Sequence, residues 1–202
     1  MIIAITIILG IDISKDMIEL ANKNKEEKAR EFVRNTGDLD GYNKRTWFGE
    51  GNAYNLVNLV GGKESADYII CRNVLHRLRE PEKALEQMLS VLKTGGKLYI
   101  RDLRRDACWN TVVNRIGEQR WEKPILVRDY IDAMASMLTK EELVDTLVSL
   151  GINEYEISDG DYRSRNESLL EKSIKEYERE TEYVCVISKQ LTFLINKRFI
   201  YL

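Results

Sequence analysis

Between Ala66 and Leu103 the chain reads ADYIICRNVLHRLREPEKALEQMLSVLKTGGKLYIRDL. This is a short apolar run rich in β-formers, then a helical pattern, then a second apolar run. Tyr68 to Cys71 form the centre of the first strand. Pro81 stands near the helix start, where a missing N–H costs little. Leu85, Met88, Leu89 and Leu92 recur at helical spacing and give that helix one apolar face. Thr94-Gly95-Gly96 is expected to end it before the strand KLYIRDL begins. Strand and helix alternate at this spacing when a sheet is parallel and helices cover both of its faces. The chain is therefore expected to be α/β.

The flanking sequence extends the pattern. Met1 to Leu9 is apolar but far shorter than the roughly twenty residues a bilayer span needs. It has neither the basic flank nor the cleavage site of an export signal. Its isoleucines, with Ile11 and Ile13, suit a strand near 2–13 that is covered on both faces. Ser14 is placed to cap a helix whose apolar stripe includes Met17, Ile18, Ala21 and Phe32. Asn35 to Asp38 is a turn cluster, Thr46 to Phe48 a short strand, and strands follow near 67–72 and 96–102. Residues 103–138 interrupt the rhythm and are expected to form a helical insertion. In TKEELVDTLVSLG, Thr139 is the N-cap, Glu142 its partner three residues on, and Gly151 the stop. NEYEIS and EYVCVISK supply two closing strands, with a charged helix-like stretch between them.

With 202 residues, 44% hydrophobic and 32% charged, the chain can bury a core. It is assigned as one domain over 1–189 with an apolar tail at 190–202. A net charge of −2 gives no global basic field to draw in nucleic acid or an anionic membrane. Cys71, Cys108 and Cys185 are an odd set without a CxxC pair, which speaks against a disulfide framework or cysteine zinc site and for a reducing cytoplasm. His76 is the single histidine, so multi-histidine metal sites are excluded.

Four stretches stand in a known order: GIDISKDMIELA, GEGNAYNL, the 67–103 segment with its Leu-Lys-Thr-Gly-Gly turn, and LTKEELVDTLVSLGI. Together they resemble the class I S-adenosylmethionine-dependent methyltransferases, in their small-molecule and quinone-type branch. The resemblance covers 9–102 well and 138–189 loosely. It implies a Rossmann-like, mainly parallel sheet, S-adenosylmethionine as methyl donor and a small-molecule acceptor.

Carried over position by position, the resemblance implies that Asp12 accepts from the two ribose hydroxyls and that Ile13 borders the adenine. The alternative for Asp12 is a cap on the helix start beside Ser14. Gly51-Asn52-Ala53 matches a loop whose second residue, an acid in the family, sits near the adenine amino group. Here Asn52 accepts through its carbonyl, with Ala53 beside it, or is simply a turn asparagine. Arg72 and Asn73, with Cys71 before them, match the strand end that faces the methionine part of the cofactor and the acceptor. Arg72 either meets a carboxylate there or is a surface residue. His76 reads first as a packed or solvated structural histidine, and second as a general base. Arg101 to Arg105, with Asp102 and Asp106, read first as a solvated charge run and second as acceptor-site lining. These positions, all at strand ends, are expected to share a cleft.

The family's first strand and its glycine-rich loop have no counterpart in these 202 residues, so the domain is expected to be truncated at its N-terminus. Three explanations remain open: a late start, a natural shortening that brings the second strand against the fourth, or replacement by another segment. Met1 to Ile8 and Leu191 to Leu202 are the segments with enough β-formers for replacement, within one chain or across a homo-oligomer. The leading function is methyl transfer to a small acceptor, weakened by the missing loop. The alternative is a non-catalytic methyltransferase-like binding or assembly module. A nicotinamide enzyme is a weaker reading, because it needs the same glycine loop.

Overall fold

The structure is a computed structural model that describes residues 7–36, 44–118, 123–160 and 179–189. It divides into two compact units between Leu59 and Val60.

In the first unit, β1 (Ile8–Asp12) lies parallel to β2 (Thr46–Glu50), in register from Ile8 opposite Thr46 to Asp12 opposite Glu50. Parallel neighbours need a crossover, and α1 (Lys15–Thr36) supplies it. Ser14 caps α1 as its sequence suggests: its Oγ accepts from Met17 N at 3.3 Å and its carbonyl from Ile18 N at 3.1 Å. Lys25 Nζ donates to the Thr46 carbonyl at 2.5 Å, tying the helix to β2. A 3₁₀ turn (Ala53–Asn55) and the single-turn α2 (Leu56–Leu59) close the unit. The described strand is shorter than the expected 2–13, and residues 1–6 lie outside the described set. Nor is it covered on both faces, since Ile8 and Leu9 are exposed. Among the described residues, β1 pairs with β2 alone.

The second unit holds a four-stranded sheet in the order β3-β4-β6-β5. The strands are β3 (Ala66–Arg72), β4 (Leu92–Leu103), β5 (Tyr155–Asp159) and β6 (Glu182–Ser188). β3 and β4 are parallel, whereas β6 runs antiparallel to both β4 and β5. Both closing strands thus fall where expected; β5 runs in the same direction as β3 and β4, so among the described strands of this sheet β6 alone is reversed and the strand directions are mainly parallel, as expected. α3 (Pro81–Val91) crosses from β3 to β4 and buries Ala84, Leu85, Met88 and Val91. The insertion is helical, as α4 (Trp109–Glu118) and α5 (Pro124–Ser136). α6 (Lys140–Ser149) opens on a complete capping box, with Thr139 Oγ1 accepting from Glu142 N at 3.1 Å and Glu142 Oε2 from Thr139 N at 2.9 Å. Leu98, Ile100, Leu85, Leu143, Leu147, Tyr183 and Ile187 are fully buried and form the core.

Thr94-Gly95-Gly96 does not end the helix. α3 stops at Val91, and Leu92 already pairs with Ala66. The register then jumps to Tyr68 opposite Lys97, so residues 93–96 bulge out of β4. Gly95 takes a φ of +82°, and a Cβ on Gly96 would lie 2.8 Å from the Asp67 carbonyl oxygen. Lys189 locks the bulge: its N–H donates to Gly96 O at 3.0 Å and its Nζ to Leu89 O and Leu92 O, at 2.9 and 2.6 Å. That ammonium therefore satisfies a carbonyl in the last turn of α3. Residues 161–178 and the tail 190–202, with the charged stretch and replacement strand expected in them, lie outside the described residues.

Candidate functional site

In the first unit the C-terminal ends of β1 and β2 bring Asp12 together with the Gly51-Asn52-Ala53 loop, because Gly51 N donates to Asp12 O at 2.9 Å. The Asp12 side chain is exposed, and its Oδ1 accepts from Ser14 N at 2.8 Å. Asp12 thus commits one carboxylate oxygen to Ser14, the residue that caps α1. Asn52 Oδ1 accepts from Tyr54 N at 2.9 Å and caps the 3₁₀ turn. Ile13 is 70% exposed, an uncovered apolar side chain beside Asp12.

In the second unit β3 ends at Arg72, which is exposed. Asn73 follows with φ +54°, in the left-handed region that asparagine tolerates better than most residues. Its N–H donates to Arg101 O at 3.0 Å. The chain then turns through a 3₁₀ segment, Leu75–Arg77, built around one carboxylate. Asp102 is fully buried at the end of β4. Its Oδ2 accepts from Val74 N at 3.0 Å and Leu75 N at 2.7 Å, and its Oδ1 from Leu103 N at 2.9 Å. Oδ1 also lies 2.7 Å from His76 Nδ1. These hydrogen bonds offset the cost of burying the charge.

Arg101 and Asp102 are therefore not part of a solvated run. Arg101 is also buried, and its Nε donates to Glu182 Oε2 on β6 at 2.5 Å. Only the continuation reaches solvent: half-buried Arg104 pairs with Asp106 and Asp159, and exposed Arg105 with Glu142. Nothing local in RDLRRD distinguishes the buried pair from the exposed one. Their partners lie 26 and 81 residues away.

An open cavity of about 500 Å³ lies beside the turn, its wall including Asn73, His76, Leu103, Tyr130 and Glu182. α5 forms one side and is fastened to the turn twice. Arg77 donates both guanidinium nitrogens to Asp129, at 2.7 Å each, and Ser136 Oγ donates to His76 O at 3.0 Å. The Arg77 hydrogen bonds hold the Asp129 carboxyl below the usual range. Burial pushes the Cys71 thiol up to about 12 and raises the Tyr183 hydroxyl as well. Neither is a nucleophile or a base near neutral pH. Among the described residues no cluster of histidine, cysteine and carboxylate side chains is suited to a metal.

Residues 4–151 match the family model described as a methyltransferase domain. The chain belongs to that family. It is 24% identical to the uncharacterized protein MJ1123 of Methanocaldococcus jannaschii, over 71% of this chain and 54% of that protein. It is 28% identical to the uncharacterized methyltransferase YcgJ of Bacillus subtilis, over 55% of this chain and 39% of that one. The chain thus spans about half or less of the length of these relatives. Among solved structures, the plantazolicin methyltransferase BamL, in complex with a triazolic desmethyl analogue and SAH, aligns with a TM-score of 0.61 at 20% identity. That alignment covers 90% of this chain and 67% of BamL.

Proposed function

We propose that the protein transfers a methyl group from S-adenosylmethionine to a small acceptor. The observation that carries this reading is the pairing of an exposed Asp12 carboxylate with the Gly51–Ala53 loop at the C-terminal ends of two parallel strands. Ligands of parallel α/β folds bind at such strand ends. The donor set suits a nucleoside. Asp12 commits one oxygen to Ser14 within the described residues and has a second to offer a ribose diol. Asn52 has an amide NH₂ for the adenine ring, with Ile13 as an apolar border and Ala53 beside it. Arg72 is proposed to meet the methionine carboxylate, and Asn73 to lie near the reacting end.

When bound, the sulfonium supplies both the methyl group and its own leaving group, so the protein's task is alignment. In this reading the 500 Å³ cavity receives the acceptor, a volume ordinary for a small-molecule site. A cytoplasmic setting belongs to the same proposal, supported by three unbridged cysteines. Self-association through a sheet edge belongs to it too.

Calorimetric titration with S-adenosylhomocysteine, the demethylated product, tests the reading. Binding is expected to be weak, because these residues include no glycine-rich loop. Asp12→Ala should weaken it by roughly 10- to 100-fold, the scale of one or two charge-assisted hydrogen bonds. A folded protein that releases no heat with this ligand would instead favour a non-catalytic methyltransferase-like module.

A further inference from the structure

Resting on the methyl-transfer reading, we propose that His76, oriented by Asp102, is a general base, and that the acceptor in the cavity is a neutral molecule carrying a hydroxyl group of phenol or enol type. Both Asp102 oxygens already accept backbone N–H groups, from Val74, Leu75 and Leu103. The 2.7 Å contact with His76 therefore has Nδ1–H as donor. In a neutral imidazole the lone pair then falls on Nε2. His76 is one of the residues of the cavity wall, and its backbone is fixed to α5 through Ser136. A histidine serving only to fill the core has no reason to line a cavity with its tautomer set by a buried carboxylate.

The rest of the wall argues for the acceptor's charge. The acids of the cavity are each matched by an arginine, Glu182 by Arg101 and Asp129 by Arg77. No net charge is therefore set aside for an ionic ligand. Leu103, Leu126, Tyr130 and Ala133 give it apolar surface suited to a ring.

The base argues for oxygen as the nucleophile. A neutral amine attacks with its lone pair and sheds its proton afterwards. A hydroxyl is a poor nucleophile until its proton begins to leave, so a fixed base helps it most. In the step, the acceptor oxygen forms a bond to the methyl carbon. The carbon–sulfur bond of the sulfonium breaks with its electron pair going to sulfur, which becomes a neutral thioether. The hydroxyl proton passes to His76 Nε2.

Because the chain has a single histidine, its ring nitrogens can be followed without ambiguity by NMR of ¹⁵N-histidine-labelled protein, in the absence of any cofactor. With the imidazole neutral, Nδ1 should carry the proton, and the Nε2 signal should shift saturably on addition of 4-nitrophenol. The visible phenolate band of the bound probe should rise in the wild type and not in His76→Gln. A proton on Nε2, or an Nε2 signal indifferent to 4-nitrophenol, overturns the proposal. Both readouts are independent of S-adenosylhomocysteine binding, so failure here is separable from failure of the methyl-transfer reading.

Discussion

The two units are built from the same kind of piece, a pair of parallel strands joined through a helix, yet they differ in what that piece encloses. In the second unit β4 is paired on both sides, and its Leu98 and Ile100 are completely buried, as are Ala84 and Leu85 of α3. In the first, Ile7, Ile8, Leu9, Met17, Leu20 and Trp47 are all exposed, while Ala29 and Thr46 are buried. A two-stranded sheet has little independent stability without more strands or a packed apolar face. The contrast teaches that apolar composition does not make a core; pairing on both edges and cover on a face do. Cooperative stability is therefore expected to reside in the second unit.

The most direct way to break this comparison is a matched pair of truncations. Leu98→Ala removes a side chain that is 0% exposed and should cost about 2–5 kcal/mol. Leu9→Ala, at a residue 48% exposed, should fall within about 0.5 kcal/mol of the wild type. Urea denaturation of the two variants measures both. Equal losses would show that the first unit is as much a part of the cooperative core as the second.

The same contrast explains what the sequence made legible. β3, β4 and the closing strands were readable as short runs of β-formers such as YIIC and KLYI, and α3 by its helical spacing of apolar residues, although Tyr68 and Ile70 of the first run are exposed. The Thr139–Glu142 box was readable because both of its hydrogen bonds close within three residues. β1 misled, because an isoleucine-rich run looks the same whether or not neighbours cover it. The Thr-Gly-Gly turn misled too, since a glycine pair suits a bulge as well as a helix stop. In the candidate site, Asp12 and the Asn52 loop were visible as strand ends. The Asp102–His76 and Arg101–Glu182 contacts were not. A buried ion pair is made by partners that tertiary structure brings together, and a run of alternating charge is usually exposed.

A smaller effect sharpens the comparison inside the second unit. Thr139→Ala removes the acceptor for Glu142 N and breaks half of the capping box on α6. The expected cost is about 1 kcal/mol. Because Leu143 and Leu147 carry α6 into the core, the loss should appear as a lower midpoint for the whole cooperative transition. Amide hydrogen exchange gives the finer test. Protection in β4 and β6 should fall with global stability, whereas local fraying confined to α6 would show that this helix is not coupled to the sheet.

The smallest expected effect is an acid dependence that also originates in the second unit. Four of its carboxyls are held below their ordinary values. The hydrogen bonds from Arg104, Arg77 and Lys140 lower Asp106, Asp129 and Asp159 respectively, and the Thr139 N–H, followed by Arg105, lowers Glu142. A carboxyl depressed in the folded state binds its proton more readily in the unfolded one. Its contribution is therefore complete above the unfolded pKa, at about pH 4–5 for acidic side chains, and is lost as pH falls through the folded value. Stability should be level on the near-neutral side and decline as acid is added below that window. These pairs are largely exposed, so each contributes little and salt weakens it. Asp129→Asn should flatten part of the decline, measured as urea midpoints across the acid range at low and high salt. If the exchange protection of β6 amides follows the same acid slope, these carboxyls act on the core that distinguishes the second unit. A profile unchanged by both Asp129→Asn and salt would remove the ion pairs from its stability.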